Sequence, residues 1–108
     1  MIFSTATASY GEAIVKLIDP TRLIKRRLYR DECTPVAENL HKDLTKLGRQ
    51  MEDIILLDWC PYGNEQNFMP IKYWAGEKYD QELDSLSPIL MSMSEMRDVR
   101  EVLCGVKN

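Results

Sequence analysis

Three side chains in this sequence have the types and positions that phosphoryl chemistry requires. The run Ile54-Ile55-Leu56-Leu57 is apolar throughout and is followed at once by Asp58. A buried strand that ends on an acid delivers a carboxylate to the carboxyl edge of a sheet, where open α/β folds bind ligands. At that edge Asp58 has three uses: helix N-cap, metal ligand, or catalytic acid/base. Ser4 closes the first apolar run, Met1-Ile2-Phe3, and presents a hydroxyl at the same kind of edge. Lys42 stands in His41-Lys42-Asp43-Leu44, ahead of the segment leading to Asp58. A hydroxyl and a lysine cation neutralise phosphoryl oxygens, while a carboxylate holds Mg2+. Taken singly each has a bland reading, because surface lysines are usually solvated and serine is common at strand ends.

The elements that must position these residues follow from the apolar pattern. Ile54 to Leu57 shows no polar alternation and is too short for a buried helix, so a buried strand is predicted. The start, "MIFST", reads as another strand. Tyr10, Ala13, Ile14, Leu17 and Ile18 form one apolar stripe of a helix, with Ser9 and Glu12 as its capping box and Asp19-Pro20 as its stop. "RLIKRRLYRDEC" is predicted as a partly exposed strand, and "TPVAENLHKDLTKLGRQ" as a loop leading to a short helix capped by Gly48. "CPYGNEQN" is a loop, and "FMPIKYW" a strand with Pro70 marking an edge. Leu83, Leu86, Ile89 and Leu90 mark a helix with Pro88 kinking it; Met96, Val99, Val102 and Leu103 mark a last helix ended by Gly105. The Met91, Met93 and Met96 cluster reads as core filling. Strands alternating with helices predict an α/β fold with parallel pairing.

Composition excludes several classes. At 108 residues, 44% hydrophobic and 29% charged, the chain is the size of one modest domain rather than a disordered segment. A net charge of -3 argues against direct nucleic-acid binding. The five cations Arg22, Lys25, Arg26, Arg27 and Arg30 read as a solvated strand or loop before they read as a nucleic-acid patch. No apolar run approaches the ~20 residues of a membrane span. The first residues have neither a secretory signal's basic start and apolar middle nor an arginine-rich leader. Cys33, Cys60 and Cys104 form no C-x-x-C pair and His41 is the single histidine, which disfavours zinc and suggests reduced thiols.

The blocks "RLYRDEC", "HKDLTKLGRQMEDIILLDWCP", "PIKYWAGEKYDQELDSLSPIL" and "DVREVL" occur in an order and spacing that resemble the small C-terminal-domain phosphatases. These are also called the NLI-interacting-factor-like group, of the haloacid dehalogenase superfamily. The resemblance runs over nearly the whole chain and implies one partial phosphatase domain of the FCP-homology type across 1–108. It implies an α/β, Rossmann-like, mostly parallel sheet with flanking helices. It places Ser4 at the family's second-motif Ser/Thr, Lys42 at its phosphate-binding lysine and Asp58 at its metal-binding aspartate. Such relatives remove phosphate from phosphoserine in proteins, including the tail of RNA polymerase II, using Mg2+ and an aspartyl-phosphate intermediate.

Two departures qualify what the resemblance implies. The nucleophile segment, Asp-x-Asp-x-Thr, does not occur in these residues. The family's Asp-Asn-Ser-Pro is here Asp58-Trp59-Cys60-Pro61, and an indole offers one N–H but no metal-binding oxygen. The expectation is therefore a truncated or degenerate phosphatase, missing the nucleophile strand, with weak or absent Mg2+ and no turnover by itself. A non-catalytic module that binds phosphopeptide or protein is the alternative. A sheet lacking its middle strand invites a protein partner or a strand-swapped oligomer. A phosphoprotein partner, no membrane, and a nuclear or cytoplasmic setting are expected. A mitochondrial setting, like that of the related import receptor, ranks last.

Overall fold

The structure, a computed structural model, describes residues 1–106, with side chains through residue 103. The thiol of Cys104 lies outside them. Backbone contacts divide the chain into two compact units, Met1–Asp43 and Leu44–Asn108.

The first unit is built around one short parallel pair. β1 (Ile2–Phe3) lies beside β2 (Arg27–Leu28), with Ile2 opposite Arg27 and Phe3 opposite Leu28. The pairing extends past the strands, since Ser4 N–H donates to Leu28 O at 2.8 Å and Arg30 N–H to Ala6 O at 2.9 Å. Parallel strands need a crossover, and α1 (Ala8–Ile18) supplies it. The helix starts earlier than the Ser9 capping box predicts: its N-cap is Thr7, which makes no side-chain cap bond. Glu12 is drawn instead to Arg27, 2.8 Å away.

The buried face of α1 is also not the predicted stripe. Gly11 and Val15 are buried, whereas Tyr10, Ile14, Leu17 and Ile18 are exposed. A long-range contact decides this. The Gly11 backbone lies so close to the Tyr29 ring that a Cβ there would stand 2.2 Å from Cε1. The side lacking a side chain is the one that fits against Tyr29, and the bulkier apolar face is turned outward.

Asp19 ends α1 as predicted, and its carboxylate accepts Leu23 N–H at 2.9 Å and Ile24 N–H at 2.8 Å. After β2 and a 3-10 turn at Arg30–Glu32, the chain makes an antiparallel hairpin where a loop was expected. β3 (Thr34–Val36) pairs with β4 (Asn39–His41) around a turn in which Ala37 has φ +55°. An Asn-Gly or Asp-Gly pair would have signalled such a turn; Ala37-Glu38 does not.

In the second unit a 3-10 turn at Leu44–Leu47 ends at Gly48, whose φ of +75° suits the cap read from the sequence. β5 (Leu56–Asp58) begins two residues later than the apolar run, after a 3-10 turn at Met51–Asp53. It pairs in parallel with β6 (Phe68–Pro70), which puts Pro70 opposite Asp58 at the end of the ladder. Asn67, 2% exposed, donates from Nδ2 to Met51 O at 2.8 Å and Ile54 O at 3.0 Å, fixing the entry to β5. α2 (Glu82–Met93) carries Pro88 inside it, and α3 (Val99–Val106) runs through Gly105 rather than stopping before it.

Met69, Met93, Val99 and Leu103 form this unit's core, with Ile55, Leu57, Leu86, Leu90 and Val102 packed around them. Full burial of side chains such as these is worth about 1.5–3 kcal/mol each. Of the predicted methionine cluster only Met93 fills the core; Met91 and Met96 are exposed. Among the described residues the strands form three two-stranded ladders, two parallel and one antiparallel. The fold is thus mixed α/β, with helices and short parallel pairs.

Candidate functional site

Ser4 stands immediately after β1, at the carboxyl edge of the parallel pair. Its Oγ accepts Ala6 N–H at 3.1 Å, so the hydroxyl is held by its own turn. Lys42 follows β4 directly and is only 3% exposed, far from the solvated lysine of the bland reading. Its ammonium lies 5.9 Å from the centroid of the Phe3 ring, a cation–π distance. Phe3 is the residue before Ser4, so the structure brings Ser4 and Lys42 to one neighbourhood within the first unit. Lysines almost never reach this depth unless their charge is matched. Among the predicted site residues, this burial is the most costly feature for the chain to maintain.

Cys33 joins them. Its Sγ–H points to Ser4 O at 3.7 Å, and to Tyr29 O at the same distance. Burial pushes the Cys33 thiol above its ordinary value, and the Lys42 charge pulls the other way. A buried, protonated thiol here is packing rather than a nucleophile. Cys33 and Cys60 are both free thiols, as the spacing suggested. The sequence reading passed over Phe3 and Cys33; the signal available for Phe3 was its place beside Ser4, whereas nothing local marks Cys33.

Asp58 belongs to the second unit. It closes β5, half-buried, and its backbone carbonyl accepts Ile71 N–H at 2.9 Å. No helix starts on it: the next helical turn is Glu65–Asn67, with Asn64 at its N-cap, so the capping reading is overturned. Oδ1 instead accepts the N–H of Trp59 at 2.8 Å. Trp59 is 56% exposed and stands edge-on to Tyr73 (centroids 5.4 Å apart) and to Tyr62 (6.5 Å). Among the described residues no three His, Cys, Asp or Glu side chains cluster as a cation site requires. Mg2+ takes six oxygens in near-octahedral order. Asp58 brings one carboxylate to that task, and the indole after it brings no oxygen.

Comparison with known proteins identifies the family. The family model for NLI interacting factor-like phosphatase matches residues 1–100. The chain is 38% identical to "CTD small phosphatase-like protein 2" of Dictyostelium discoideum, over 93% of its own residues and 18% of that protein. It is 31% identical to "Phosphatase Herzog" of Drosophila melanogaster, over 97% of the chain and 31% of the relative. It is 30% identical to human "Carboxy-terminal domain RNA polymerase II polypeptide A small phosphatase 1", over 95% of the chain and 41% of the relative. The chain thus spans less than half the length of each. With a family model matching nearly all of its residues, the chain belongs to the NLI interacting factor-like phosphatases.

Proposed function

We propose that this chain is a phosphatase domain of the haloacid dehalogenase type that keeps its phosphoryl-binding residues and does not complete dephosphorylation on its own. One observation carries the reading: Lys42 is buried to 3% exposure with its ammonium over Phe3, the neighbour of Ser4. A cation and a hydroxyl so placed neutralise two oxygens of a bound phosphoryl group. The substrate class is a phosphoserine of a protein, as the names of relatives such as the human RNA polymerase II small phosphatase suggest. A nuclear or cytoplasmic setting goes with that substrate.

Covalent phosphoryl transfer needs a carboxylate nucleophile. The eight aspartates of the sequence include no Asp-x-Asp pair. A nucleophile for that step would have to come from outside these residues. Asp58 is the remaining metal-type carboxylate, and with Trp59 beside it Mg2+ would be held weakly. Trp59 also favours the second reading, a module that docks phosphopeptide without chemistry, because its exposed ring with Tyr73 is better suited to contact a polypeptide than a cation shell.

The test is a titration of isotope-labelled chain with a short phosphoserine peptide, followed by NMR. Shifts at Ser4 and Lys42, with affinity at that site reduced about tenfold or more in Lys42→Met, are expected. Equal binding of the unphosphorylated peptide at Ser4 and Lys42 would remove the basis of the proposal.

A further inference from the structure

The basic stretch Arg22 to Arg30 is strand only at Arg27–Leu28, and the loop before it is not simply solvated. Arg27 is drawn inward, its side chain 9% exposed, and its guanidinium meets Glu12 at 2.8 Å and Asp19 at 3.7 Å. Its Nε donates to Ile24 O at 3.3 Å. Around it lies a cavity of about 260 Å³ lined by Glu12, Arg22, Ile24, Lys25 and Arg27. The loop that forms its rim is held in place. Asp19 accepts both Leu23 N–H and Ile24 N–H, and Arg22 is kept at φ +58°, a left-handed conformation unusual for a side-chain-bearing residue. Among the described residues neither Arg22 nor Lys25 makes an ion pair.

The cavity and Ser4 lie toward opposite ends of the short β1–β2 pair. β1 and β2 are parallel; Ser4 follows β1 at the carboxyl edge, while the cavity residues precede and begin β2 at the amino edge. Arg22, Lys25 and Arg27, less Glu12 on the cavity wall and Asp19 paired with Arg27, leave the neighbourhood a net charge of +1. A phosphorylated side chain carries about -1.5 to -2 at neutral pH. Leu23, 78% exposed between Arg22 and Ile24, offers an apolar contact to the residue flanking such a group. The chain as a whole is acidic, so it does not attract extended polyanions.

We infer that this cavity is a second docking site, which receives a phosphorylated side chain of a partner polypeptide at the amino edge of the β1–β2 pair. Arg27 forms its fixed floor, held by Glu12 and Asp19, and Arg22 and Lys25 close over the phosphoryl oxygens. The site goes beyond the reading of Ser4 and Lys42 and does not depend on it.

The experiment uses a short phosphoserine peptide with a leucine beside the phosphoserine, titrated into labelled Lys42→Met chain to silence the Ser4 neighbourhood. Amide signals of Arg22, Lys25 and Arg27, with the guanidinium signals of the two arginines, are expected to move. Affinity should fall about fivefold in Arg22→Gln and in Lys25→Gln, and further at raised salt. Both positions are exposed, so these variants should fold. Absence of shifts at Arg22, Lys25 and Arg27 would overturn the inference. So would equal binding of a peptide with aspartate for phosphoserine, or preferential binding of duplex DNA or anionic vesicles at these residues. Loss of the Ser4 and Lys42 response alone, with this one intact, would count against the proposed function and leave the second site standing.

Discussion

Gly11→Ala tests how α1 fixes the strand that carries Ser4's backbone partner. A Cβ built on Gly11 stands 2.2 Å from Tyr29 Cε1, 2.5 Å from Cδ1 and 3.2 Å from Cζ. Carbon atoms in contact prefer about 3.5–4.0 Å, so helix and ring must separate by more than about 1 Å. Tyr29 is 5% exposed and has no open side to move into. Overpacking of this kind costs about 1–3 kcal/mol. Alanine in place of glycine inside a helix returns about 0.8–1 kcal/mol. The net is a destabilisation of up to about 2 kcal/mol, and at the middle of that range a fall in Tm of roughly 5 °C by calorimetry or circular dichroism. Leu17→Ala is the control on the opposite face of the same helix: Leu17 is 79% exposed, and its change should stay within about 0.5 kcal/mol. The signs differ between the two explanations. Helix propensity alone would make Gly11→Ala the more stable protein, and a raised Tm would refute the close contact as the reason for α1's orientation. Because Leu28 O accepts Ser4 N–H at 2.8 Å, the displaced Tyr29 should also move the amide signal of Ser4.

Two further outcomes follow from buried titratable groups. The backbone N–H groups of Ile24 and Leu23, with Arg27, hold the Asp19 carboxyl below its ordinary value of 3.8. A lowered carboxyl pKa stabilises the fold fully above the ordinary value, and that contribution is lost as pH falls through the lowered one. Asp19→Asn should therefore unfold at lower urea than the parent at pH 7, with the gap closing in acid; a gap that widens there would contradict the role given to Asp19. Cys33 is buried and its thiol is pushed up by burial. In peptide mapping at pH 8, iodoacetamide should label Cys60 well before Cys33, and the reverse order would refute the buried, protonated thiol beside Ser4.

The parts of this fold legible in the sequence are those set by neighbours along the chain. The apolar run to Leu57 and the acid after it gave a strand and its edge; Asp19-Pro20 gave a helix end, and Gly48 a cap. The misread parts were decided by residues far apart. Glu12 caps nothing because Arg27, fifteen residues on, takes it. α1 turns its small face inward because Tyr29 fits only there. The hairpin at Thr34 to His41 rests on Ala37 accepting a left-handed turn that its side chain does not advertise. Sequence resemblance singled out Ser4, Lys42 and Asp58 as candidates, but the burial of Lys42, with its ammonium over the distant Phe3, has no local signal. Trp59 was legible as a change of chemistry, and the structure adds that its own N–H engages the Asp58 carboxylate.

We propose that this chain carries phosphoryl-binding residues without the means to finish hydrolysis. The direct measurement is release of p-nitrophenol from p-nitrophenyl phosphate by the purified chain with and without Mg2+. The account predicts no turnover above buffer in either condition. Mg2+-dependent turnover that disappears in Asp58→Asn would contradict it.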